Sequence, residues 1–317
     1  MAPDRANRPQ PEFVGVLADA KEPGPFAAGH EKMTPPEVFA VRSPGGHAND
    51  GSWRVRVFPN LYPALRVEDA GAGTPEGPCD RMGGLGAHEV IVEDPDRRAD
   101  LSVLDEQRVF EVLTAWRARM ADLRRDGRLA CGILFKNRGG QAGATINHPH
   151  SQLLALPMVP PALQDELEAI TAYRKVHARC PLCDVMRHER ALGDRLVVDG
   201  QAACVITPFA SRVPYEMLVG PVGHHPAIED SGDDLLRGMA WALREALIRL
   251  DRKLSKPSYH LWLRSAPWRG PEEERRGFHW HVCIAPVTNR VGAFEGGAGL
   301  RINTVLPEEA ATVLREP

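Results

Sequence analysis

Gly143-Ala144-Thr145-Ile146-Asn147-His148-Pro149-His150-Ser151-Gln152 decides how this chain is read. Two imidazoles, a hydroxyl and a carboxamide crowd its last five residues, His148 to Gln152. They follow a glycine-rich run, Phe135-Lys136-Asn137-Arg138-Gly139-Gly140. Glycines let peptide N–H groups approach phosphate oxygens closely. A neutral imidazole can attack phosphorus while a hydrogen bond to its other nitrogen fixes the tautomer. Two histidines in a surface loop are the plainer reading. The glycine run before them and the carboxamide after them favour phosphate chemistry.

Outward from this segment, Gly132 to Asn137 and Ser151 to Leu156 read as strands. Upstream, Trp53-Arg54-Val55-Arg56-Val57-Phe58 alternates and ends at the turn signal Pro59-Asn60. Residues 69–86 read as a loop, and His88 to Val92 as a further strand. Asp105 to Arg125 is predicted helical, with Val109, Val112, Leu113, Trp116, Met120 and Leu123 on one face. The second half repeats the order. Leu196 to Val198, Ala203 to Ile206 and Glu216 to Val219 read as strands, and Asp233 to Lys253 as a long helix. Tyr259 to Leu263 follows, then His279-Trp280-His281 leading into a last strand through Ala285. A repeat at roughly 130 residues implies duplicated domains. The expected class is α+β: two tandem domains, 1–172 and 173–317, with antiparallel sheets and one long helix each.

The 317 residues are 43% hydrophobic and 26% charged, which fits a globular chain with a real core. A net charge of −3 does not advertise nucleic-acid or membrane-surface binding. Residues 1 to about 30 read as a polar, proline-rich arm. No apolar leader and no run of about 20 apolar residues is present. Six cysteines, of which only Cys180 and Cys183 form a pattern, point to a reducing cytoplasm.

The chain resembles the galactose-1-phosphate uridylyltransferase-like branch of the histidine-triad superfamily. The resemblance rests on the Asn137 to Gln152 block. It is extended by Arg5-Ala6-Asn7-Arg8-Pro9, Met33-Thr34-Pro35-Pro36-Glu37-Val38, Phe58 to Leu65, Gly86-Ala87-His88-Glu89-Val90, Tyr259 to Pro267 and Gly299 to Pro307, in the family's order. It implies two histidine-triad-like domains, the first catalytic, and a double displacement. His150 would attack the α-phosphorus of a UDP- or ADP-sugar, and a phosphorylated acceptor would take the nucleotide from the histidine. Gln152 would donate to a non-bridging oxygen, as such charge requires. The resemblance puts phosphate contacts at Gly143 and Thr145, and nucleoside and phosphate contacts at Asn60 and Asn137. It makes Arg5 and Arg8 cationic phosphate contacts that could reach across a homodimer interface; a solvated basic arm is the alternative. Phosphorolysis, hydrolysis and nucleotide binding without turnover are the other outcomes to weigh.

Cys180-Pro181-Leu182-Cys183 needs two more ligands to hold a metal. With His224 and His279 it would make a closed Cys₂His₂ structural zinc site in the C-terminal half. His224 is preferred to His225 because it keeps the family's four-residue spacing to Ile228. A reduced, metal-free pair is the alternative, and no thioredoxin-like pattern surrounds it. In the first half the family's Cys-Pro-Phe-Cys reads Gly24-Pro25-Phe26-Ala27, and Arg97 stands where a third histidine ligand would be. Only His148 remains, so no metal is expected there and His148 is expected to brace the loop of His150. Arg264 stands where many relatives carry a histidine that, in some, joins a second metal with a glutamate placed like Glu166, so that site is not expected either. His30, His47, His88, His177, His188 and His260 carry no distinguishing pattern and read as structural or surface residues, His88 as a buried strand residue.

Overall fold

The computed structural model describes residues 24–71, 73–289 and 292–316, so Arg5 and Arg8 lie outside the described residues. The strands of the first half are β1 (Phe39–Arg42), β2 (Trp53–Pro59), β3 (Gly73–Glu76), β4 (Cys79–Met82), β5 (Ala87–Val92), β6 (Cys131–Arg138) and β7 (His150–Leu156). Those of the second are β8 (Leu196–Asp199), β9 (Ala203–Ile206), β10 (Met217–Pro221), β11 (Tyr259–Arg264) and β12 (His281–Pro286). The helices are α1 (Glu106–Leu123), α2 (Pro161–His177), α3 (Pro181–Leu192), α4 (Asp233–Lys253), α5 (Glu272–Gly277), α6 (Ala293–Ala298) and α7 (Pro307–Arg315).

Ten strands form one antiparallel sheet in the order β1-β2-β5-β7-β6-β11-β12-β10-β9-β8. From each outer edge inward, the two halves run in the same order, with the last two strands exchanged. The long helix enters at the same point of each half, before β6 and before β11. The two expected sheets are therefore one. They join where β6 pairs with β11, from Tyr259 opposite Arg138 to Leu263 opposite Leu134. The domain boundary expected at 172/173 falls within α2.

Alternation along the strands separates two faces, because residues opposite one another in an antiparallel pair share a face. Ala87, Glu89 and Ile91 of β5 stand opposite Ala155, Leu153 and Ser151 of β7. This face is covered by the helices. Val109, Val112, Leu113 and Trp116 of α1 pack with Val55, Val57, Ile91, Leu134 and Leu153, and the same core continues through Leu236, Met239, Leu243 and Leu247 of α4. Each such buried side chain contributes about 1.5–3 kcal/mol. Asp105 caps α1 by accepting from the Arg108 N–H at 2.8 Å. The other face carries His88, Val90 and Val92 opposite Leu154, Gln152 and His150.

Two features depart from the sequence reading. Residues 69–86 contain the β3–β4 hairpin, turned by Gly77 at φ 64. All eight of its strand residues are exposed, so no apolar alternation betrays it. Helices α2 and α3 follow β7 directly. Pro161 opens α2, where a missing N–H costs nothing. Leu163, Leu167 and Ile170 are its buried residues, at helical spacing. No helix among the described residues is long and apolar enough to cross a membrane.

Candidate active site and metal cluster

His150 opens β7, and its Nδ1–H donates to the His148 carbonyl at 2.8 Å. A carbonyl only accepts, so the proton is on Nδ1 and the Nε2 lone pair is free. Burial pushes this imidazole down to about 4, and the Lys136 ammonium acts in the same direction against the His148 carbonyl. The ring is therefore neutral at neutral pH. A step that uses the lone pair should keep a constant rate from about pH 8 to about pH 5, then slow as the ring protonates near 4. Single-turnover rates across that range test this. A decline centred near the ordinary histidine value of about 6.5 would contradict it.

The loop is braced by packing and backbone bonds. His148 is buried, and its Nε2–H donates to the Asp94 carbonyl at 2.7 Å. The Glu93 N–H donates to the Pro149 carbonyl at 3.2 Å. Phe26 lies edge-on to both rings, its centroid 5.3 Å from His150 and 6.2 Å from His148. The turn that presents it is closed by the Ala27 N–H on the Gly24 carbonyl at 3.1 Å. Gly24 and Ala27 thus flank an aromatic ring packed on both histidines.

Gln152 lies on the same face as His150. Its Oε1 is 2.9 Å from Nε2 of His88, and the Asn60 Nδ2 is 3.1 Å from that same Nε2. Asn137 accepts at Oδ1 from Nδ1 of His260, at 3.0 Å across the β6–β11 seam. His88 and His260, given no role from sequence, each bond a site carboxamide. Their signal was parity: both occupy strand positions on the face of His150 and Gln152.

Gly139 and Gly143 both have φ +80, and a Cβ on Gly139 would meet Oγ of Ser258 at 2.2 Å. The Gly143 N–H donates to the Gly140 carbonyl at 2.9 Å. That hydrogen is used inside the turn, and the positive φ of Gly143 shapes the loop. Thr145 is half-buried on the same loop. Beside the loop is a cavity of about 180 Å³ lined by Arg97, Arg98, Lys136, Asn137, Asn147 and His150, among others. Its cationic lining suits phosphates. Beneath it, on the helix face, Lys136 pairs with Glu93 at 2.6 Å and Asp100 at 2.9 Å. Arg138 continues the network to Asp100 and Asp251.

The second half repeats the imidazole but not its neighbours. His281 opens β12, donates from Nδ1 to the His279 carbonyl at 2.9 Å, and is pushed down to about 4 by burial. Two residues on, Cys283 occupies the place of Gln152. Arg264, 3.7 Å from Glu166, stands opposite His281. The carboxamides are confined to the first half.

Cys180, Cys183, His224 and His279 come together with one ligand atom each, all within 4.8 Å of one another. Nε2–H of His224 donates to the Arg276 carbonyl at 2.8 Å, and Nε2–H of His279 to the Pro221 carbonyl at 3.1 Å. Both imidazoles therefore turn Nδ1 inward. His279 Nδ1 lies 3.8 Å from Cys180 Sγ and 3.3 Å from Cys183 Sγ, and His224 Nδ1 lies 3.5 Å from Cys183 Sγ. Zinc bonds of about 2.3 Å to sulfur and about 2.0–2.1 Å to nitrogen give a tetrahedron with edges of about 3.3–3.8 Å. The donor set and its spacing fit a metal ion. The charged run Glu272 to Arg276 forms α5 beside this cluster, and His225 is not part of it.

One half-sheet order used twice, with a His-x-His segment entering the corresponding strand of each half, defines a tandem histidine-triad-like α+β protein. Residues 42–160 match the family model described as galactose-1-phosphate uridyl transferase, N-terminal domain. An ADP-glucose phosphorylase from Arabidopsis thaliana is 31% identical over 99% of this chain and 88% of its own length. A galactose-1-phosphate uridylyltransferase from Thermotoga maritima is 27% identical over 82% of this chain and 83% of its own. The crystal structure of an ADP-glucose phosphorylase from Arabidopsis thaliana with bound ADP-glucose superposes with a TM-score of 0.82 at 29% identity, covering 100% of this chain and 94% of that one. The chain belongs to the galactose-1-phosphate uridylyltransferase-like family of the histidine-triad superfamily.

Proposed function

We propose that the protein is a nucleotidyltransferase that takes a nucleotidyl group from a nucleoside diphosphate sugar through His150. The observation that carries this is the half-buried, neutral imidazole whose Nδ1 is bonded to the His148 carbonyl and whose Nε2 is left as a lone pair. Nε2 attacks the α-phosphorus. The bond from that phosphorus to the bridging oxygen breaks, and the sugar 1-phosphate leaves with the electron pair. The positive charge gained by the ring is met by the His148 carbonyl. Gln152 donates to a non-bridging oxygen. Asn60 and Asn137 hold the nucleoside and phosphates, and Thr145 lies by the phosphates. An acceptor phosphate oxygen then attacks the same phosphorus, and the P–N bond breaks.

Inorganic phosphate is the acceptor favoured by the 31% identity to an ADP-glucose phosphorylase across nearly the whole chain. A sugar phosphate is the acceptor suggested by the uridylyltransferases. Arg5 and Arg8 act as phosphate contacts across a homodimer interface in this reading. The test is to mix the protein with UDP- and ADP-sugars labelled at the α-phosphorus and quench in alkaline denaturant, which spares an acid-labile P–N bond. Label should stay with the chain and be discharged by the true acceptor. If neither sugar leaves label on the chain, the covalent route is wrong.

The Cys₂His₂ cluster would hold one structural zinc, tying the start of α3 to the strand end at Pro221 and the segment before β12. Metal analysis should give about one zinc per chain. Chelation or Cys183→Ser should lower the melting temperature, while labelling of His150 persists in the protein that stays folded. Two zincs per chain, or labelling lost in step with zinc, would refute this assignment.

A further inference from the structure

His88 has no task in the transfer chemistry, yet it touches both Asn60 and Gln152. We propose that His88 is a positioning residue that fixes the Gln152 carboxamide with its NH₂ group turned toward the phosphoryl group on His150. This rests on the transfer reading above for the role of Gln152.

The hydrogen bonds dictate the arrangement. The Ala64 backbone N–H donates to His88 Nδ1 at 3.0 Å. A backbone amide can only donate, so Nδ1 carries the lone pair and the ring proton is on Nε2. Nε2–H then donates to Gln152 Oε1 at 2.9 Å. With its oxygen engaged, Gln152 keeps both amide hydrogens for a ligand. Asn60 Nδ2, 3.1 Å from the same Nε2, faces an N–H and cannot donate there. Asn60 cannot turn over without loss, because its Oδ1 accepts from the Tyr62 N–H at 2.9 Å. One buried ring thus keeps the donor ends of two carboxamides available. An unpinned glutamine could present its oxygen instead, which would repel a phosphoryl oxygen.

The second half supplies an internal comparison. Val90 stands opposite Gln152 as Leu218 stands opposite Cys283. Two residues before Leu218, at the place of His88, is Glu216, which bonds Arg212. Where the carboxamide is absent, so is the imidazole.

The experiment compares His88→Phe, His88→Gln, Gln152→Ala and the double variant His88→Phe with Gln152→Ala. The readout is the single-turnover rate of labelling at saturating nucleotide sugar. Gln152→Ala should lose roughly 100-fold or more, and His88→Phe roughly 10- to 100-fold with little change in KM. The double variant should be no slower than Gln152→Ala alone, since His88 acts through Gln152. His88→Gln, whose amide can replace the Nε2–H, should recover most of the rate. Losses that multiply in the double variant, or equal losses for Phe and Gln, would overturn the assignment. ¹⁵N NMR of the imidazoles in the wild-type chain tests it without turnover: an Nδ1–H tautomer at His88 would overturn it, and Nε2–H supports it. Absence of label in the wild type would instead count against the transfer reading.

Discussion

Replacing His150 with alanine is expected to abolish covalent labelling and to slow turnover by about 10⁴-fold or more. The effect is large because no neighbour can inherit the role. His148, the nearest imidazole in sequence, is buried and spends its Nε2 on the Asp94 carbonyl. His88 spends both nitrogens, one on the Ala64 N–H and one on Gln152. His260 lies on the neighbouring half and is bonded to Asn137. His281 repeats the tautomer of His150 but stands two residues from Cys283, without a carboxamide donor. Binding of the nucleotide sugar should survive, because the carboxamides and the cationic cavity wall are untouched. Calorimetry should therefore report binding to a variant that takes up no label. Label retained by His150→Ala would transfer the nucleophile to another residue.

Lys136→Met is expected to cost about 3–5 kcal/mol of stability. Lys136 is 2% exposed and is the shared partner of Glu93 and Asp100. Removing its charge leaves two buried acids with less compensation, which costs more than the original pair contributes. Burial pushes Glu93 up against the opposing pull of Lys136. Without that pull its carboxyl binds a proton more readily in the folded state than in the unfolded one. Raising the pH forces it to ionise alone, so the loss should grow with pH and shrink as pH falls. Urea unfolding at two pH values measures both. A loss under about 1 kcal/mol would mean that water screens the acids. The same substitution removes the cation that helps hold His150 neutral, so the low-pH limb of its rate profile should move upward.

The elements that build the sheet were legible because they pack against something. Alternation in Trp53 to Phe58 and helical spacing in Asp105 to Arg125 both report a buried face, and both elements lie where expected. All eight strand residues of the β3–β4 hairpin are exposed, and it left no apolar signature. The joining of two sheets into one was hidden for another reason: Gly132 to Asn137 and Tyr259 to Leu263 look like any buried strands, and pairing partners are not written in periodicity. At the site, His148-Pro149-His150-Ser151-Gln152 could be read because its groups are adjacent in sequence. His88 and His260 are distant in sequence from the carboxamides they bond, and only the register brings them there. The Cys₂His₂ set was visible as Cys-x-x-Cys, with His224 preferred to His225 from its spacing to Ile228; what the sequence could not show is that the Nδ1 of each ring turns toward the thiols.

The seam has the symmetry of a subunit contact. Counting from His150 and His281, Leu261 is the counterpart of Leu134, and Leu263 the counterpart of Lys136. Leu134 pairs with Leu263, and Lys136 pairs with Leu261. Each partner meets the other's equivalent, which is the signature of two identical bodies related by a twofold axis. The chain is in this sense a dimer written into one polypeptide. In a dimer of identical chains, every substitution appears in both copies. Joined end to end, the copies could diverge, and one could keep glutamine and histidine where the other took cysteine and glutamate.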